Sequence, residues 1–250
     1  MGISTEHAIN DIIIPSIGDT FIMLGLGFLF AAIIGFAVAL VLITVSPMGL
    51  RPNVFLYRIL DFVVNVLRST PFIILMITLM PLCRLLFGTV IGLPSAIFSL
   101  TISCSALIAR LLEGAFREVD PCLIEAARSF GASDLRITST VIVGETVPAM
   151  VSNLTLASIS ALSGTAMAGV VGAGGLGAVA LTYGYQNFND FIMYSTVIIL
   201  IVITQIIQLI GNGIYRAVKE TAPPWPKTPR ATPGGPNPPV RIASNPLKTT

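Results

Sequence analysis

Gly172, Gly174 and Gly177 stand in the GxGxxG spacing of a dinucleotide-binding turn, and Asp190 follows at the distance expected of an acid that holds a ribose. That chemistry needs a strand running into the turn and a helix leaving it, inside a water-exposed βαβ unit. Few other residues have types and spacing that suggest chemistry. His7 is the single histidine, and Cys83, Cys104 and Cys122 form no CxxC pair or Cys/His cluster, so no metal site is expected and the cysteines read as packing residues. Asp61 has no acidic partner on another apolar stretch, which removes the paired carboxylates that an intramembrane enzyme would use.

The elements that must position these residues are strongly apolar. Hydrophobic residues make up 54% of the 250, and charged residues only 10%, against about 25% in an ordinary soluble domain. Uncharged runs of 31, 25, 44 and 25 residues cover Thr20 to Leu50, Leu85 to Ala109, Thr146 to Asn189 and Phe191 to Tyr215. About 20 apolar residues suffice for a bilayer-crossing helix. The chain therefore reads as an all-α polytopic membrane protein. Spans are expected near residues 21–45, 62–83, 89–109, 147–171 and 191–213. The second of these must carry Arg68. At a helix end its stem snorkels to the headgroups; deeper, it faces a partner helix or a watery path.

This setting answers the glycine question. The GxGxxG run follows an apolar stretch long enough to span, with no charge until Asp190, and no soluble βαβ unit can be drawn around it. Gly172, Gly174, Gly175 and Gly177, with Gly164 and Gly169 before them, read instead as a close-packing or irregular stretch at the outer end of the fourth span. Met167, among these small residues, is either a packing residue or a side chain that narrows a path. A channel or ion-coupled transporter is disfavoured, because four of the five spans hold no acidic residue for a proton or sodium relay.

Orientation follows the Lys and Arg count of the loops. Twelve such residues fall on one side and Arg84 alone on the other, so residues 1–15 are expected in the periplasm and the C-terminus in the cytoplasm. No cleavable leader is expected, since no basic n-region precedes the first apolar run. Residues 222–250 hold nine prolines and four basic residues with no acid, the composition of an extended or disordered tail.

The one sizeable cytoplasmic connection lies between spans three and four, from Arg110 to about Thr146. It reads as two short helices. Asp120 is placed to cap the first, Pro121 suits its first position, Gly131 can end it, and Ser133 can cap a second from Asp134. Leu123, Ala126, Ala127 and Phe130 recur at helical spacing, and such a stripe must pack under the spans or dock on another protein.

Glu125, Ala126, Ala127 and Gly131 spell EAAxxxG, and the chain resembles the type I ABC importer permeases that carry this signature in their coupling loop. "RSTPFIILM" at 68–76, "IEAARSFGAS" at 124–133 and "GAGGLG" with "YGYQ" over 172–186 are similar to the permease subunits of methionine importers. The resemblance covers residues 16–211. One departure follows the signature: Val141, Val143 and Gly144 stand where the family usually reaches Leu-Pro, and Pro148 comes later.

The resemblance implies a homodimeric translocation path, two cytoplasmic ATPase subunits that bind ATP and Mg, and an extracytoplasmic substrate-binding protein. The chain itself would hold no cofactor and catalyse no reaction. Glu125 and Arg128 would make polar contacts with the ATPase, and Ala126, Ala127 and Phe130 close apolar ones, beside the turn at Gly131. The solute would be methionine; a phosphonate or a quaternary amine is the alternative.

Overall fold

The computed structural model describes residues 8–221, and within them the chain is helical, with no strand. His7 and the proline-rich segment 222–250 lie outside the described residues. Helix α1 (Ile14–Val45) continues a wide-turned segment, Ala8–Ile13. It is followed by α2 (Val54–Ser69), α3 (Phe72–Phe87), α4 (Leu93–Arg117) and α5 (Pro121–Ser129). Helix α6 (Asp134–Ala173) comes next, and then α7 (Gly175–Val179), prolonged by wide turns over Ala180–Gln186, and α8 (Asp190–Thr221).

Four of these segments are long and apolar enough to cross a membrane, and α2 with α3 makes a fifth if the pair counts as one span. The outward faces of α1 and α8 fit a lipid solvent: Phe21, Leu29, Ile33, Ile198, Ile201 and Leu209 all stand exposed.

Helix α4 is the hub. It runs parallel to α1, because Leu100 of α4 packs at Gly27 and Ile108 at Gly35, eight residues further along both helices. A Cβ on Gly27 would come within 2.8 Å of Leu100, and one on Gly35 within 2.8 Å of Ile108. Glycine at these two positions lets the helices approach, which in lipid replaces the hydrophobic effect as the source of association. Helix α6 crosses α4 in the opposite sense, with the Asn153 amide donating to the Leu111 carbonyl at 3.0 Å and Gly164 lying against Leu100. The core of this bundle includes Leu100, Ile108, Leu112, Phe116, Ala157, Ala161 and Leu176.

Two expectations need correction. The continuous helix expected over residues 62–83 is two helices meeting at 113°, the break falling at Thr70 and Pro71. Pro71 has no N–H to donate and disfavours helical conformation in the residue before it. Thr70 is accordingly extended, with φ −79° and ψ 125°. The second helix expected in the connection between spans three and four is not short. It starts at Asp134 but runs unbroken through wide turns at 137–142 and past Pro148 into the 40-residue α6, so the loop and the expected span 147–171 are one body. Helix α4 likewise extends two turns beyond residue 109, to Arg117.

Candidate functional site

Segment 120–136 is built from its caps inward. The Asp120 carboxylate accepts the Cys122 N–H at 2.9 Å, Pro121 occupies the first position of α5, and Ser133 accepts from the Arg136 N–H at 3.4 Å. At the far end Gly131 takes φ +78°, its N–H donates to the Arg128 carbonyl, and the Ala132 N–H donates to the Ala127 carbonyl. This paired bond pattern is the Schellman motif, which turns the chain sharply and needs a left-handed residue at its corner. The thiol of Cys122 is pushed up from its ordinary value, first by its hydrogen bond to Asp120 and then by that carboxylate's charge.

The stripe expected on α5 divides into two faces. Leu123, Ile124 and Ala127 are half-buried, with Ile124 packed against the main core. Glu125, Ala126, Arg128 and Gly131 are exposed. Phe130 is the helix cap rather than a member of its buried face, and 92% of it is exposed. Leu135, one turn on, is 83% exposed. Two large apolar side chains, both largely exposed, therefore flank a hydrogen-bonded glycine corner.

The corner is tied to the connection between α1 and α2. Arg51 pairs with Asp134 at 2.7 Å, and Arg128 donates to the Leu50 carbonyl at 3.2 Å. That connection is closed on itself by Gly49 N–H to Ser46, Arg51 N–H to Thr44 and Asn53 N–H to Val45, while Asn53 caps α2.

Beside it lies a cluster that residue spacing alone signals only in part. Glu113 of α4 is 1% exposed and accepts from Arg110 at 2.7 Å, Arg117 at 2.6 Å and the Tyr57 hydroxyl at 3.2 Å. Arg110 also binds Asp61 and Asn65 of α2, and Arg117 lies over the Tyr57 ring. Asp61 thus finds basic partners, and α2 is clamped to α4. A buried carboxylate is tolerable only with such compensation. The spacing Arg110, Glu113, Arg117 places all three on one helical face, and that was the available signal.

Met167 lies on α6, 33 residues beyond Asp134, and is half exposed. It lines two cavities that meet at α6. One of about 600 Å³ is bounded by Leu162, Val170, Leu181, Tyr185 and Met193. The other, about 290 Å³, is bounded by Arg68, Phe72, Leu107 and Ser160, and Ser163 belongs to both walls.

The glycine run forms a broken helix that packs against its neighbours. Gly172, Gly174 and Gly175 take φ of +90°, +83° and +76°, turning the chain from α6 into α7. The Leu176 N–H freed by the break donates to the Thr20 hydroxyl of α1 at 2.9 Å. A Cβ on Gly177 would fall 2.1 Å from the Ala166 carbonyl oxygen, so α7 folds back against α6 backbone to backbone. No nucleotide-binding strand precedes these glycines among the described residues.

Comparison with known proteins agrees with this architecture. The family of binding-protein-dependent transport system inner membrane components matches residues 45–220. A probable D-methionine transport system permease protein of Vibrio cholerae is 39% identical over 209 residues, covering 84% of this chain and 93% of that protein. The methionine import system permease protein of Bacillus subtilis is 38% identical over 173 residues, covering 69% of this chain and 78% of the relative. Among solved structures, an inward-facing MetNI methionine ABC transporter superposes with TM-score 0.83 at 35% identity, covering 86% of this chain and 99% of that one. The chain belongs to the inner membrane components of binding-protein-dependent transport systems, the non-enzymatic, multi-pass permease subunits of ABC transporters.

Proposed function

We propose that this chain forms, as a homodimer, the translocation path of an ATP-driven importer for methionine. Residues 16–211 form the transporter domain, with the N-terminus periplasmic and the C-terminus cytoplasmic. Two ATPase subunits bind ATP and Mg and grip the corner around Gly131, and an external binding protein delivers the solute. The observation that carries the coupling role is the bare Phe130 on a stapled glycine corner. An exposed aromatic side chain on a backbone already fixed by its caps has only two torsions to order on docking and buries much area, the profile of an interface anchor. Glu125 and Arg128 then supply the polar rim, and the small Ala126 allows close approach.

The route of the stroke follows from the packing. Movement of the corner by the closing ATPase dimer acts on α6, which starts at Asp134, and on the α1–α2 connection through Arg51 and Arg128. Met167, far along α6, is thereby the candidate gate, and the glycines at 172–177 hold the end of α6 close to α1 and α7. The methionine assignment rests on relatives that bear that name at 38 and 39% identity over most of this chain.

The test is extraction of the tagged chain from its native membrane with identification of what copurifies, followed by uptake in proteoliposomes. A stoichiometric ATPase whose retention falls on Glu125→Ala and Phe130→Ala, with ATP-dependent methionine accumulation, is the expected result. A chain that comes out without an ATPase sinks the reading.

A further inference from the structure

Arg68 is left without a role by the transport cycle just described. Its depth comes from its neighbours. It lines the 290 Å³ cavity together with Leu100, and Leu100 is the side chain wedged between Gly27 of α1 and Gly164 of α6. Gly27 is the midpoint of the apolar helix Ile9–Val45. Arg68 therefore belongs to the middle level of the bundle, where a guanidinium costs about 2.5–3.5 kcal/mol to insert. No carboxylate pairs with it among the described residues, and the cavity wall contains no acid. Such a charge at this level is functional by default, and it lacks the partner that a structural charge would have.

The rest of the wall is chemically specific. The Ser160 and Ser163 hydroxyls donate to the Leu156 and Ile159 carbonyls of their own helix, at 3.2 and 3.3 Å. Their protons are committed, so their lone pairs remain as acceptors. Leu107 and Met167 provide an apolar wall. Helix α3 begins at Phe72, also in the wall, with no side chain capping its first turn, so its dipole adds to the positive field at Arg68. The wall thus combines one cation that no carboxylate of the wall neutralises, two hydroxyls free to accept and apolar side chains, a set that complements an α-amino acid zwitterion. The volume falls at the lower end for small-molecule sites.

We propose that this cavity is a way-station for the transported amino acid, in which Arg68 holds the α-carboxylate, Ser160 and Ser163 accept from the ammonium group, and Met167 borders the side chain. The proposal rests on the importer reading above and names the contacts that reading lacks. A single guanidinium with no second charged anchor suits a path, where binding must be strong enough to admit the solute and weak enough to release it.

The test uses the complex of this chain with its ATPase in lipid nanodiscs, without binding protein, irradiated with the diazirine analogue of methionine, and the labelled peptides are identified by mass spectrometry. Label is expected on the segments carrying Arg68 or Ser160 to Met167. Excess L-methionine should suppress it, and L-methioninol, which lacks the carboxylate, should not. Arg68→Gln should lower labelling by about tenfold or more, the loss expected for a charge-assisted hydrogen bond, and Arg68→Lys should retain most of it. Equal competition by methioninol, undiminished labelling of Arg68→Gln, or an unlabelled wall would overturn the proposal. So would loss of the second permease copy in Arg68→Gln, which would assign Arg68 to the interface between copies. Methionine uptake by wild-type proteoliposomes separates the two readings: uptake with an unlabelled wall overturns only the way-station, and no uptake overturns both.

Discussion

Arg51 and Asp134, 83 residues apart in sequence, meet at 2.7 Å and tie the α1–α2 connection to the first turn of α6. The pair is exposed enough that its contribution to stability is about 0.2–1 kcal/mol. On the proposed coupling route its value lies in mechanical continuity. Arg51→Glu should lower methionine uptake several-fold with normal membrane levels, and Arg51→Glu combined with Asp134→Arg should restore a substantial part of it. Equal uptake by the wild type and Arg51→Glu would show that the tie transmits nothing.

Phe130→Ala should leave thermal stability within about 0.5 kcal/mol, because the ring is 92% exposed. Uptake and ATPase retention should nevertheless fall together. Thermal unfolding beside a pull-down checks both halves; a destabilised but well-coupled variant would contradict the reading of Phe130 as a docking anchor.

Glu113→Gln should destabilise the protein by about 1.5–3 kcal/mol, since it takes the charge out of the bonds to Arg110 and Arg117, while Arg110 keeps Asp61 and Asn65 and the half-exposed Arg117 keeps water and Tyr57. Comparing the thermal unfolding of the purified complex with and without the substitution measures this. Tyr57→Phe, which removes the hydroxyl's bond to the same carboxylate and the bond it accepts from Arg117, should cost about 1–2 kcal/mol.

Two glycine substitutions should act in opposite directions. Gly177→Ala would push a methyl into the Ala166 backbone and should reduce the yield of folded protein severely. Gly114→Ala meets open space inside α4 and should stabilise by about 0.5–1 kcal/mol. Detergent-solution melting curves decide both.

Cys122 should react slowly with maleimide at pH 8 despite full exposure. Its thiol is raised by Asp120, so less thiolate is present at a given pH than in an ordinary cysteine, and the rate should climb as pH rises. Asp120→Asn removes the charge and should speed labelling at pH 8. A rate for the native protein equal to that of a free thiol would contradict the shift.

Much of this architecture was legible in the residues. The long uncharged runs point to the membrane class, and Asp120, Pro121 and Gly131 fix the ends of α5, as Ser133 does the start of α6, because caps are local chemistry. What was missed depends on direction and on tertiary context. Hydropathy counts apolar residues without saying where an axis turns, so it does not register the break at Thr70 and Pro71, which only the proline signals. Glu113 stands four residues past the uncharged run that ends at Ala109, in the stretch that hydropathy assigns to the loop. Its neutralisation requires Tyr57 and the α2 residues that hold Arg110, about 50 positions away. The divided stripe of α5 has a similar origin: periodicity put Phe130 with Leu123, but the Schellman turn ends the helix at Ser129 and turns the ring outward.

Helix α6 has one further property. Between Asp134 and Met167 it has no break, and 33 residues at about 1.5 Å each make a rod of about 50 Å. Its compliant places, the wide turns at 137–142 and Pro148, lie in the half nearer Asp134, and the first true joint is Gly172, beyond Met167. A strut of this kind delivers torque and axial thrust to its far end with little loss. The α2–α3 pair, whose Arg68 and Phe72 border the smaller cavity beside Met167, is bent by 113° at its junction. A continuous member against a bent one is a geometry in which a small displacement at the base changes the width of the gap between them.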